Sequence, residues 1–172
     1  MRRWRIYCLL CFAQLAVGCS LSPPKDAVYF QEDTRVIPGY AKVYIYRPSM
    51  GFGAGVWPEV HLNGENVVGL RNGAYTVIFA KPGKYTITTA KNTFLSGMGN
   101  IPGEVDISTD GEYFLLLDRD NCQNHYMNAY CLFHPHEIDY QRWTIVPKNA
   151  ALRQLRECYF VKPYLEQIPS GA

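Results

Sequence analysis

The chemically capable side chains of this 172-residue chain gather in "NCQNHYMNAYCLFHPHEIDY", which holds Cys122, His125, Cys131, His134 and His136 within fifteen residues. Two thiols and three imidazoles could hold zinc, which takes four tetrahedral N or S ligands. The spacing argues against it. Zinc folds pair their ligands as C-x₂₋₄-C, whereas eight residues separate Cys122 from Cys131. In an oxidising compartment a Cys122–Cys131 disulfide is the preferred reading, and closing that loop would stabilise the fold by about 2.5 to 3 kcal/mol. Metal is the lesser alternative, and no cofactor is expected. Cys158 sits on the apolar stripe of a predicted helix, where a buried inert thiol is the usual outcome; a bridge from Cys158 to Cys122 or Cys131 is the rival pairing.

Catalytic patterns are absent. "LSGMG" lacks the G-x-S-x-G elbow, and no H-E-x-x-H occurs. Asp118 and Asp120 flank Arg119 as a solvated ion-pairing edge rather than an acid–base pair. "GFGAG" at 51–55 leads into a strand instead of the helix N-terminus that a phosphate loop requires. The chain is therefore not expected to be an enzyme. Phe52 and Trp57 near those glycines, with Phe94 and Met98 in "NTFLSGMGNIPG", are candidate binding loops if the two segments meet at one end of the fold.

A further residue of interest is Cys19. Arg2, Arg3 and Arg5 precede an apolar stretch, Ile6 to Val17, broken only by Gln14. It is too short for the roughly 20 residues that span a bilayer, so residues 1–18 read as a signal peptide. Ala16 and Gly18 suit ordinary secretory cleavage, but Ala16-Val17-Gly18-Cys19 resembles a bacterial lipobox, with Ala16 where Leu is favoured and Leu15 one place back. The lipid reading is preferred. Its three acyl chains of palmitate type would anchor the protein by on the order of tens of kcal/mol. In lipoproteins an Asp after the cysteine resembles an inner-membrane retention signal, so Ser20 suits export to the outer membrane, facing the periplasm or the surface. Parity pulls the other way: with Cys19 acylated, Cys122, Cys131 and Cys158 leave one thiol over.

The elements that position these groups follow from composition and period. Hydrophobic residues make up 48% and charged residues 19%, so the chain folds, and its length suits one domain. Without Arg2, Arg3 and Arg5 the balance is 14 Lys+Arg against 15 Asp+Glu, which leaves no basic stripe for nucleic acid. Residues 19–40 form the acylated N-terminus and a Pro-rich tether that spans about 25 Å as a loose coil, although Val28-Tyr29-Phe30 could dock on the domain. Residues 41–147 alternate with period two. "KVYIYR" sets Val43 and Ile45 against Lys42, Tyr44 and Tyr46, and Asn63-Gly64 in "EVHLNGENVV" demands a type I′ hairpin. "AYTVIF", "KYTITT", "EVDIS" and "EYFLLLD" follow at sandwich spacing. Residues 148–172 hold the helix "PKNAALRQLRECYF" and a tail, with Asn149 as N-cap and Ala151, Leu152, Leu155, Cys158 and Tyr159 as its apolar stripe. The expected fold is mainly β: an antiparallel β-sandwich, immunoglobulin- or transthyretin-like, with a short C-terminal helix.

"AKVYIYRP", "PEVHLNGENVVGLRNGAYTVIFAKPGKYTITT" and "GEYFLLL" resemble the bacterial family known as domain of unknown function 2846 over roughly residues 41 to 117. There is a weaker likeness to PEGA-type sandwich domains. The resemblance implies a fold and an envelope lipoprotein address, but no activity. The function expected is that of a lipid-anchored binding or structural accessory whose partners are membrane lipid and an envelope protein. Its rival is a periplasmic metal- or carbohydrate-binding module built on residues 122–136.

Overall fold

The computed structural model describes residues 22–49, 54–55, 57–90, 102–108, 111–118 and 142–168. Two sheets pack as a sandwich. In the first, β1 (Ala41–Arg47) lies between β4 (Ala74–Ala80) and β7 (Glu112–Asp118), and β8 (Arg142–Ile145) pairs with β7. Two short strands, β9 (Tyr159–Phe160) and β10 (Gln167–Ile168), pair with the outer side of β4. The second sheet has the order β3 (Glu65–Gly69), β2 (Glu59–Leu62), β5 (Gly83–Ala90), β6 (Gly103–Ile107).

The sandwich is as expected, yet its first sheet is mixed rather than wholly antiparallel. β1 runs parallel to β7, and β9 and β10 run parallel to β4. A parallel pair needs a long crossover; between β1 and β7 it is supplied by β4 together with the whole second sheet, β2 and β3 before β4 and β5 and β6 after it.

Alternation assigns the faces. Val43 and Ile45 of β1, Ile78 of β4 and Leu115 and Leu117 of β7 meet Val60, Leu62, Tyr85, Ile87, Val105 and Ile107 of the second sheet. Tyr44, Tyr46, Tyr75, Val77, Phe114 and Leu116 point the other way and are buried as well. Their cover is the helix α1 (Lys148–Leu155), with Ala151 and Leu155, followed by Cys158 and by Phe30 from the N-terminal segment. Every residue of β1 and β4 is therefore buried, whereas β5 alternates between core and solvent. The second sheet keeps a wet face, whereas the centre of the first is covered on both sides.

The hairpin forms as the dipeptide demands. Asn63 and Gly64 adopt φ of 49° and 85°, and Asn63 exchanges backbone and side-chain bonds with Thr86 at 2.8 Å. At the opposite edge, a Cβ on Gly103 would stand 3.0 Å from both Ile87 and Trp143. Only glycine lets β6 close against β8 there.

The helix differs from expectation. It spans eight residues, Lys148–Leu155, and its N-cap is Pro147, with no side-chain cap bond. Asn149 lies inside the first turn instead of capping it. Cys158 and Tyr159 fall beyond the last turn, where the chain straightens into β9.

Candidate functional site

The N-terminal segment shows where the domain meets what precedes it. Of the two courses open to Val28-Tyr29-Phe30, the docked one is observed: Phe30 N–H donates to the Cys158 carbonyl at 3.0 Å, and Phe160 N–H to the Val28 carbonyl at 2.8 Å, around a Tyr29–Tyr159 antiparallel bridge. The Phe30 ring reaches the sheet's outer face, 5.2 Å from Tyr75 edge-on and 6.1 Å from Tyr44. Residues 27–36 thus form a strap, and the tether read over 20–40 ends early.

Tyrosines explain why the strap stays. A sheet face offers no backbone partners, but the Tyr75 hydroxyl accepts from Gln31 N–H at 3.3 Å and the Tyr44 hydroxyl from Asp33 N–H at 3.2 Å. Burial pushes the Tyr44 phenol up to about 12 and raises that of Tyr75, so both hydroxyls stay protonated at any physiological pH. Tyr46, raised by burial too, donates to Gln154 Oε1 on α1 at 2.6 Å. The tyrosines of the "KVYIYR" and "AYTVIF" strands are the floor on which the strap and the helix rest.

Charges lock the same interface. Arg35 bonds Asp33 at 2.6 and 2.9 Å, pairs with Glu166 and sits 5.1 Å over the Phe79 ring. Lys42 donates to the Asp33 carbonyl and stands 3.4 Å from Glu112. Lys148 lies 2.6 Å from both Glu112 and Glu32. A cation at a helix N-terminus is unfavourable by itself, and the two carboxylates offset it. The side-chain bond from Arg35 holds the Asp33 carboxyl below its ordinary value. Burial pulls Glu112 upward, but the ammonium groups of Lys148 and Lys42 outweigh it and the net shift is downward.

A second feature lies beside the strap. The Arg71 guanidinium sits 4.7 Å over the Trp57 ring and bonds Tyr159, the bridge partner of Tyr29. Val28, Tyr29, Trp57, Phe160 and Tyr164 are all exposed along this edge. Tyr164 N–H donates to Val67 at 2.7 Å, so the stretch after α1 crosses from the first sheet to the second and closes that side.

A third feature is a shallow cavity of about 630 Å³ on the wet face, lined by Asn63, Lys84, Thr86, Glu104 and Asp106. Lys84 and Thr86 of β5 stand opposite Asp106 and Glu104 of β6, one cation and two carboxylates, which is an ordinary polar face of a sheet.

Of the residues singled out by sequence, Trp57 and Cys158 are described. Among the described residues Cys158 is a free, buried thiol that donates to the Gln154 carbonyl at 3.5 Å; Cys122 and Cys131, its partners in the rival pairing, lie outside the described residues. Burial pushes its pKa up to about 12, which suits packing and not nucleophilic chemistry. Cys19, Phe52, Phe94, Met98, Cys122, His125, Cys131, His134 and His136 lie outside the described residues. Among those described, no group of three His, Cys, Asp or Glu could hold a metal, and no helix is long and apolar enough to cross a membrane. Sequence reasoning missed the Arg71–Trp57 stack altogether. The strap's only signal was its apolar triplet.

No curated protein and no solved structure matches the chain. A family model described as protein of unknown function (DUF2846) matches residues 38–131, more than half of the chain. That span begins where the strap ends and takes in β1 to β7, the whole second sheet and strands β4, β1 and β7 of the first, but not β8, the helix or the closing edge. On that match, the chain belongs to the DUF2846 family.

Proposed function

We propose that the protein is a lipid-anchored lipoprotein of the cell envelope, held by acylated Cys19, whose sandwich acts as a binding or structural accessory and not as an enzyme. The observation that carries this reading is the run Leu15-Ala16-Val17-Gly18-Cys19 at the end of a basic, apolar leader. The docked strap supports it, since a domain that takes up its own N-terminal segment from Ala27 onward is built to stand close to whatever holds that segment. Ser20 supports export to the outer membrane.

The test replaces Cys19 with alanine in the producing bacterium. Wild type is expected as a processed form in the membrane fraction that partitions into detergent; Cys19→Ala is expected as unprocessed precursor or in the soluble fraction. Identical processing and partitioning of the two would overturn the proposal.

A further inference from the structure

The chain between Cys19 and the domain is short. Ala27 N–H closes a turn onto the Pro24 carbonyl at 3.0 Å, and Ala27 itself packs against the inter-sheet core. Five peptide steps separate Cys19 from Pro24, and even fully extended they reach only about 18 Å. A loose coil of that length covers about 13 Å. A sandwich so held does not stand clear of the surface that holds its cysteine. The edge from which the leash departs is pressed toward that surface.

That edge carries the side chains that membrane interfaces favour. Val28 and Phe160 are hydrogen-bonded neighbours, 56% and 38% exposed, and Tyr29 beside them is 51% exposed. Trp57, 39% exposed, has the Arg71 guanidinium over its ring, and Arg71 also reaches Tyr159, the bridge partner of Tyr29. Tyr164 continues the edge at 60% exposure. Tyr and Trp present an apolar body with a polar tip, which is why they collect at the headgroup layer, and a guanidinium complements lipid phosphate. The wet face of the second sheet, with Lys84, Glu104 and Asp106, has none of this character.

Building on the Cys19 anchor proposed above, we infer that the edge formed by Val28, Tyr29, Trp57, Phe160 and Tyr164, with Arg71, rests on the headgroup layer of the anchoring membrane. The wet face of the second sheet is thereby left free. The strap sets the orientation: it fixes the end of the leash to this edge.

Tryptophan fluorescence tests it. After leader removal the tryptophans are Trp57 and Trp143. Full-length mature protein, purified with its acyl chains from membranes, is reconstituted into phosphatidylethanolamine–phosphatidylglycerol vesicles with ordinary or brominated acyl chains. Brominated lipid should quench emission by roughly a third, and Trp57→Phe should abolish that quenched component. Glutamate at Val28 and Tyr29 together, both more than half exposed, should lower the quenching at least two-fold with the melting temperature nearly unchanged. Equal emission in the two kinds of vesicle, with the acylated protein fully bound, would overturn the inference and leave the anchor intact. A mature protein without acyl chains would overturn the anchor, and the inference with it.

Discussion

Truncating Phe30 separates a docked strap from a loose tether. Its ring is half-buried between Tyr44 and Tyr75. Phe-to-Ala in a full core costs about 3 to 5 kcal/mol, and an aromatic edge contact contributes about 0.5 to 1.5. At half burial, Phe30→Ala should weaken docking by about 2 kcal/mol. The Arg35–Val36 bond reports it, because Arg35 is restrained by Asp33, Glu166 and the Phe79 ring. If strap opening is fast beside cleavage, the rate follows the open population. Tenfold per 1.4 kcal/mol then gives roughly 30-fold faster trypsin cleavage after Arg35 in Phe30→Ala. If the strap unfolds with the domain, the melting temperature falls instead, by about 4 to 8 °C. Val36→Ala, at a side chain 82% exposed, is the control and should change neither. Cleavage within two-fold of wild type together with an unchanged melting temperature would refute the docking energetics.

Three further outcomes follow from the same contacts. Asp33 and Glu112 have depressed carboxyl pKa values in the folded state, so their stabilisation is fully present above the ordinary range near 4 and is lost as pH falls through the folded values; melting temperatures measured from pH 6 down to pH 2.5 should drop below about pH 4, and drop less in Asp33→Asn with Glu112→Gln. With Cys122 and Cys131 changed to serine, Cys158 of the mature protein should resist Ellman's reagent at pH 8 and react once in guanidinium chloride, whereas fast reaction without denaturant would contradict its burial. Gly64→Ala meets no neighbour but forces an L-residue to φ near 85°, which costs about 1 to 2 kcal/mol and should lower the melting temperature by a few degrees.

The strands and their turns were legible because each carries its own local signal: period two in "KVYIYR", and Asn63-Gly64 at the hairpin. The mixed pairing of β1 with β7 was not, since strand direction depends on how far the chain travels between partners, which alternation does not encode. The second buried face was hidden for a related reason. Tyr44, Tyr46 and Tyr75 look like residues of a half-wet sheet, and only the arrival of α1 and the strap, distant in sequence, turns their hydroxyls into acceptors and donors in a buried layer. The helix start went wrong at Asn149 because Pro147 already supplied the geometry of entry. Phe30 was visible as an apolar residue in a polar stretch, but its partner, the Cys158 carbonyl, lies more than a hundred residues away. The aromatic edge escaped notice because Arg71 and Trp57 carry no shared motif.

The most direct test is intact and peptide mass spectrometry of the protein extracted from envelope membranes. The account predicts a mature chain that begins at Cys19, with a diacylglyceryl group on its sulfur and an acyl group on its amine. An unmodified chain beginning at Cys19 or beyond, or one that retains residues 1–18, would contradict it.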